Sequence, residues 1–319
     1  MGKNDIYMKR WLSDKRRFTD LINGSMFQGK EVFSADTLRE ENTDKGIVLQ
    51  NSDGKKITIQ RYRDIAMSAE DGTRIVILAC ENQEEIHYAM PVRGMLYDAV
   101  SYADQITRIR QQRREKKELK GSAQFLSGLK KTDLLYPVIT VIFYYGEDEW
   151  DGQKDLHGLL GIDREEYKLL KRYVPNYRIN LIDPRYLESL ECFQTDLQIV
   201  FGMLKYRKSK VKLQNYVELN QEYFSNIDYD SYNAVRAMLG SEQGLKEIKK
   251  ETGGINMCQA LEELYQDGVE KGIQQGIQAF ILDYTEEGYG KAKIVEKLQK
   301  RFSLSKEKAE AYYKEIKKE

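Results

Sequence analysis

The chain has 319 residues, enough for about two domains, and its 51 basic and 51 acidic residues cancel, so bulk charge alone implies no nucleic-acid partner. It contains no run of eighteen apolar residues, and its start (Met1-Gly2-Lys3-Asn4-Asp5) lacks the apolar stretch of a signal peptide, so no membrane partner is expected. Ile6 stands where a myristoylation signal after Gly2 needs Ser or Thr. Cys80, Cys192 and Cys258 are odd in number and far apart, which excludes a disulfide framework or a CxxC zinc module and fits a reducing cytoplasm. With only His87 and His157, a His-rich metal site is not expected either.

In chain order, residues 5–27 predict a helix, because Ile6, Trp11, Leu12, Phe18, Leu21 and Ile22 recur every three to four positions. Gly24 and Gly29 mark its end, and a charged helical turn is expected over 34–40. Three β runs follow, at 46–50, 56–67 and 73–79, with turn signals at Asp53-Gly54 and Glu70-Asp71-Gly72. Pro91 suits the first turn of a helix whose stripe is Val92, Leu96, Ala99, Ala103 and Ile106. Pro137 opens a strong β run over 138–145, ended by Gly146. The order is α-β-β-β-α-β. Residues 152–174 read as charged and helical, 177–182 as a further strand, and 188–205, 210–224 and 232–250 as helices. Gly253-Gly254 is the clearest boundary, so the expected units are 1–160, 161–252 and 253–319.

The second β run carries Asp64, and Glu81, seventeen residues on, follows directly on the third. An antiparallel hairpin would set the two side by side near one edge of a sheet. Paired carboxylates are oxygen ligands of the kind Mg²⁺ takes, and a metal so held can activate water for phosphodiester cleavage. A solvent-facing strand residue is the plainer reading of either acid alone. Together they form a pair of like charges that is costly without a cation.

The α-β-β-β-α-β order, with an acid on the second strand and Glu-x-Gln on the third, resembles the PD-(D/E)XK nuclease fold. Phe18-Thr19-Asp20-Leu21-Ile22-Asn23, Arg63-Asp64, Glu81-Asn82-Gln83 and the stretch from Tyr144-Tyr145-Gly146 to Trp150 are similar to the Rpn family of recombination-promoting nucleases, also described as PD-(D/E)XK transposases. The likeness covers residues 5–160, and the Gly-Ile-Gln-Gln-Gly tail also resembles that family. It implies a restriction-endonuclease-like α/β core, a helical C-terminal region, and Mg²⁺-dependent (or Mn²⁺-dependent) DNA endonuclease activity. Asp64, Glu81 and Gln83 would then be catalytic, and Asp64, Glu81, the Asn82 carbonyl and Asp20 would hold the metal. Asp14 and Asp5 compete with Asp20 for the first-helix role. Arg63 stands at the motif's Pro and Gln83 at its Lys; a neutral amide can orient water but brings no charge. Arg93 could supply that charge, with Tyr97 one turn along the same face.

Between Arg108 and Lys120 lie seven basic residues and two acids. Arg113, Arg114, Lys116 and Lys117 would neutralise DNA phosphates, or the run is a solvated loop. The cluster from Lys205 to Lys212 raises the same choice, with Tyr206 placed to stack on a base. In the tail, Gly268, Gly272 and Gly276 alternate with Val269, Ile273 and Ile277. Each Gly costs a helix about 1 kcal/mol relative to Ala, so close approach of a partner helix is expected, with Ile281 continuing the seam of a homo-oligomer. A weak surface helix is the alternative. Ile294 to Phe302 and Ala309 to Ile316 predict a helical pair, with Ser305 as a cap.

Overall fold

Asp14 splits the first expected helix in two. Its carboxylate accepts the amides of Arg16 and Arg17 at 3.0 Å each, capping a new helix start, so α1 (Lys3–Leu12) and α2 (Lys15–Phe27) meet at a corner. The computed structural model describes residues 3–41, 44–50, 56–62, 64–70, 75–162, 164–239, 245, 248 and 253–317; for 3, 44–50, 56–62, 70 and 75–81 it describes the backbone alone. After a single 3-10 turn come β1 (Leu38–Glu40), β2 (Asp44–Gln50), β3 (Lys56–Tyr62), β4 (Ile65–Glu70) and β5 (Ile75–Gln83). The expected run 56–67 is thus two strands in two sheets. β3 pairs with β2 as a separate hairpin, while β4 pairs antiparallel with β5. Asp53-Gly54 and Asp71-Gly72 lie outside the described residues.

α3 (Met90–Glu115) and α4 (Gly121–Ser127) then lead to β6 (Val138–Tyr144), which lies parallel to β5. The sheet is completed by β7 (Asn180–Ile182), after the short α5 (Leu156–Leu160), in the order β1-β4-β5-β6-β7. The molecule is a mixed α/β protein with small sheets and a helical C-terminal region. That region holds α6 (Leu197–Tyr206), α7 (Lys210–Leu219), α8 (Gln221–Phe224), α9 (Tyr229–Met238), α10 (Met257–Glu286), α11 (Lys291–Phe302) and α12 (Lys306–Lys317). Residues 188–196, expected as helix, precede α6 without helical hydrogen bonding, and 165–172 forms a 3-10 helix.

Side chains alternate across β6, as the two-residue period of a strand requires. Val141, Phe143 and Tyr145 face a large core with Met8, Trp11, Phe18 and Phe201, while Ile142 and Tyr144 pack with Met90 and Trp150. The large core runs on without a break through Val200, Tyr232 and Met257, so the fold crosses residue 160. The buried residues of α3 are Met90, Pro91, Gly94, Tyr97, Val100, Ser101 and Gln105, whereas Val92 and Ala99 are exposed. The helix is turned away from the expected stripe because Asp98 reaches inward, accepting from Thr140 Oγ1 at 2.6 Å and Tyr177 Oη at 2.7 Å.

In the tail, α10 is a 30-residue helix serving two cores. Met257 belongs to the large one, and Ile277 and Ile281 belong to a second with Ile294, Val295, Leu298, Ala309 and Tyr313 of α11 and α12. The lower half of the expected seam is therefore filled by the chain's own helices. Val269 and Ile273 remain exposed, and nothing lies within 4 Å of a Cβ built on Gly268 or Gly272. Ser305 does cap α12, its hydroxyl accepting the Lys308 amide at 3.3 Å.

Candidate active site

The pairing of β4 with β5 sets Ile65 opposite Cys80, and continuing that register places Asp64 across from Glu81. The hairpin expected from sequence thus brings the two positions together. The side chain of Glu81 lies outside the described residues. Asp64 is half-buried, and its Oδ2 accepts the Asn82 amide at 2.8 Å, which fixes the carboxylate against β5; no hydrogen bond among the described residues engages Oδ1. Burial pushes the Asp64 carboxyl above its ordinary range, and the nearby Asp5 charge pushes the same way. The Asn82 amide, Lys9 and Arg93 pull it back. Asp64 therefore lies within electrostatic reach of two helices, of α1 through Asp5 and Lys9 and of α3 through Arg93.

α1 is held on this end of β5 by polar contacts as well as by buried Met8, Trp11 and Leu12. Asn4 Nδ2 donates to both oxygens of Glu84, at 3.1 and 3.3 Å, and Tyr145 Oη lies 3.4 Å from Asp5 Oδ1. Burial first, then the Glu84 and Asp5 charges, push the Tyr145 phenol far above its usual range, so it stays protonated and donates to Asp5. The backbone follows from Gly146. A Cβ there would stand 2.1 Å from the Glu84 carbonyl, so only Gly allows the turn after β6 to lie against the end of β5.

Of the acids on and between the first two helices, Asp5 is the one whose charge reaches Asp64, whereas Asp20 and Asp14 are held elsewhere. Asp20 is buried, and its carboxylate accepts the amides of Gln194 (2.9 Å) and Thr195 (2.7 Å) and the Thr195 hydroxyl (2.6 Å), so it anchors the approach to α6. Asp14 is a helix cap. Gln83 folds onto its own strand, Nε2 donating to the Asn82 carbonyl at 3.0 Å. Arg93 Nε donates to Tyr97 Oη at 2.8 Å with the guanidinium 5.4 Å from the ring centre, so buried Tyr97 positions Arg93 and is not itself exposed to a ligand.

The basic run divides. Arg113 is bound to Glu118 and to Asp133 (2.5 Å), with Lys130 also on Glu118 at 2.8 Å, and these cations hold the Glu118 carboxyl down to about 2. Arg113 is thus a structural clasp. Arg114, Lys116 and Lys117 are exposed. In the second cluster, Arg207 donates to the carbonyls of Tyr145 (2.6 Å), Met238 (2.8 Å) and Gly146, and Tyr206 packs on Tyr216 with ring centres 5.3 Å apart. Both residues are committed to packing the helical region.

Among the described residues, no group of three His, Cys, Asp or Glu side chains is placed to hold a metal. No helix there is long and apolar enough to cross a membrane. No protein-family model, curated protein or solved structure matches the chain. Sequence reading gave Lys9, Glu84 and Asn4 no role. An Asp and a Lys one turn apart on α1, beside the apolar stripe, was the signal that could have found Lys9.

Proposed function

We propose that this chain is a metal-dependent DNA endonuclease whose centre is Asp64 at the end of the β4–β5 hairpin, within a restriction-endonuclease-like core. The observation that carries the reading is the register: Asp64 stands across from Glu81 on the central strand, with Asp5 of α1 beside it. The path of two antiparallel strands, a crossover helix and a parallel strand also agrees with the resemblance drawn from Glu81-Asn82-Gln83. The likeness to recombination-promoting nucleases is what names DNA, and a role in recombination or in mobile elements, as the target.

A divalent cation fits the donors present. Asp64 Oδ1 is open, Asp5 adds a second carboxylate, and the Asp64 carboxyl is raised by burial first and then by the Asp5 charge, both of which a cation would offset. Asp64, Glu81 and Asp5 would hold Mg²⁺ or Mn²⁺, with the Asn82 carbonyl as a further oxygen; Asp20 takes no part. When bound, such an ion neutralises phosphate charge and makes its water more acidic. In the hydrolysis, a water oxygen joins phosphorus as the bond from phosphorus to one sugar oxygen breaks. The water loses one proton and the leaving oxygen gains one. Asp64 and Asp5 orient the water's protons, the Gln83 amide can swing to hold the water in line, and Arg93 draws the phosphate in.

One observation favours a second reading. Gln83 Nε2 occupies the Asn82 carbonyl, which suits a DNA-binding or protein-interaction module that has kept the fold and lost activity. Plasmid cleavage with Mg²⁺, Mn²⁺ or EDTA decides between them. Nicking or linearisation that needs metal and disappears in Asp64→Ala is expected. Salt-dependent DNA binding without cleavage in any metal would select the second reading. We further propose that the exposed Val269 and Ile273 face of α10 joins two copies, setting two centres on one duplex.

A further inference from the structure

We propose that Lys9 of α1 supplies to the scissile phosphate the positive charge that Gln83 cannot, so that a nuclease centre of this kind works with its lysine on a helix instead of on the strand. The assignment rests on the endonuclease reading and deepens it. Four observations converge. α1 packs against β5, and its rotation is fixed by fully buried Met8, Trp11 and Leu12 together with the Asn4–Glu84 hydrogen bonds. Lys9 lies four residues after Asp5 and so shares its helix face, and Asp5 meets Tyr145 at the end of the sheet.

Three of the neighbouring bases are engaged. Arg10 pairs with Asp230 at 2.7 Å, Lys15 Nζ donates to the Leu38 carbonyl at 2.8 Å, and Arg17 is bound to Asp196 at 2.8 Å. Lys9 is half-buried, yet among the described residues no hydrogen bond or ion pair engages its ammonium. A half-buried cation without a partner is costly, and an incoming phosphate would satisfy it. Finally, Tyr145, which meets Asp5 on the face that Lys9 shares, donates its amide to the Gln83 carbonyl at 3.0 Å, so this face of α1 stands at the strand end that carries Gln83. Arg93 is the rival, but the hydroxyl and ring of Tyr97 hold its guanidinium, which suits drawing the phosphate in rather than following the charge that develops on it.

As the water oxygen bonds to phosphorus, a further unit of negative charge spreads over the phosphate oxygens and the leaving sugar oxygen. An ammonium held in place beforehand stabilises that charge more than it stabilises the ground state. Losing it should therefore lower kcat more than it weakens binding.

The test uses the full chain with a linear duplex and Mg²⁺ or Mn²⁺, comparing wild type, Asp64→Ala, Lys9→Met, Lys9→Arg and the double variant Lys9→Met with Gln83→Lys. Lys9→Met should lose on the order of 100-fold in kcat, as when one transition-state donor is removed, with little change in KM and a melting temperature no lower than that of wild type. Lys9→Arg should keep part of the activity, and Gln83→Lys should restore most of what Lys9→Met loses. A readout apart from turnover is reductive methylation of the metal-free protein, followed peptide by peptide. Duplex DNA should protect Lys9 several-fold and leave Lys314 unchanged. A Lys9→Met enzyme with wild-type kcat beside a dead Asp64→Ala would overturn the assignment while leaving the nuclease reading standing, and so would a Lys9 that DNA does not protect. Absence of metal-dependent cleavage in the wild type would instead remove the nuclease reading.

Discussion

At the scale of single residues, the proposed centre is defined by a conflict that folding does not resolve. Asp64 is fixed by the Asn82 amide yet crowded by burial and by Asp5, so its carboxyl titrates above its ordinary value of 3.8. A carboxyl raised in the folded state binds its proton more tightly there than in the unfolded chain. Its contribution to stability is therefore present below the unfolded value and is lost as pH rises through the folded one. Without metal, Asp64→Asn should melt higher than wild type at pH 7 and no higher near pH 3, below the unfolded value. Adding Mg²⁺ or Mn²⁺ at pH 7 should raise the melting temperature of wild type, since a ligand at 100 times its Kd contributes about 2.7 kcal/mol, and should leave Asp64→Asn unmoved. Equal metal-induced shifts in both proteins would place the cation elsewhere. The position of this acid was legible in the sequence because a hairpin's register follows from two β runs and a turn. The identity of its helical partner was not. Asp5, Asp14 and Asp20 all lie on α1 and α2 or between them, and only tertiary contacts assign Asp14 to a cap and Asp20 to Gln194 and Thr195.

At the scale of elements, the sequence located α3 but not the side it turns inward. Its apolar periodicity proposed Val92 and Ala99, whereas polar Asp98 and Gln105 take inner positions by bonding to Thr140, Tyr177 and the backbone of Tyr136. A hydrophobic pattern carries no signal for such bonds. The same holds at its C-terminal end, where a run of bases contains one that is a clasp. Converting Arg114, Lys116 and Lys117 together to Gln should weaken DNA binding and flatten its dependence on salt, by about 0.9 in log–log slope for each phosphate no longer neutralised. Arg113→Gln should leave the slope alone and instead speed hydrogen exchange around Glu118 and Asp133. The reverse pattern, a slope carried by Arg113, would mean that the clasp opens on DNA.

At the scale of the molecule, a boundary at residue 160 follows the charge and helical character of the sequence but not its burial. β7 extends the sheet beyond it, Phe201 stacks on Phe143 with Phe193 edge-on behind it, and Val200 and Tyr232 belong to the same core as Val141 and Tyr145. Arg17 of α2 adds a partly buried tie to the helical region, bonded to Asp196, Asp228 and Ser231, with Tyr223 also on Asp196 at 2.8 Å. Breaking such a pair from one side costs roughly 3–5 kcal/mol. Residues 1–160 alone would lack all of this and should give no cooperative unfolding transition. The tail has a different natural cut. Ile227 and Ile255 exchange backbone hydrogen bonds at 3.0 and 2.9 Å, and Met257, Leu261 and Leu264 pack on the large core, whereas the second core begins only at Ile277. A chain ending at Asp267 should therefore keep the near-ultraviolet circular dichroism and metal response of the full protein. It should also become monomeric by light scattering if Val269 and Ile273 join two copies. A chain ending at Gly254 lacks that packing on the large core and should unfold at lower temperature. If the 1–267 protein remained associated, the contact between copies would have to lie on the body of the fold, away from the glycine-rich turns of α10.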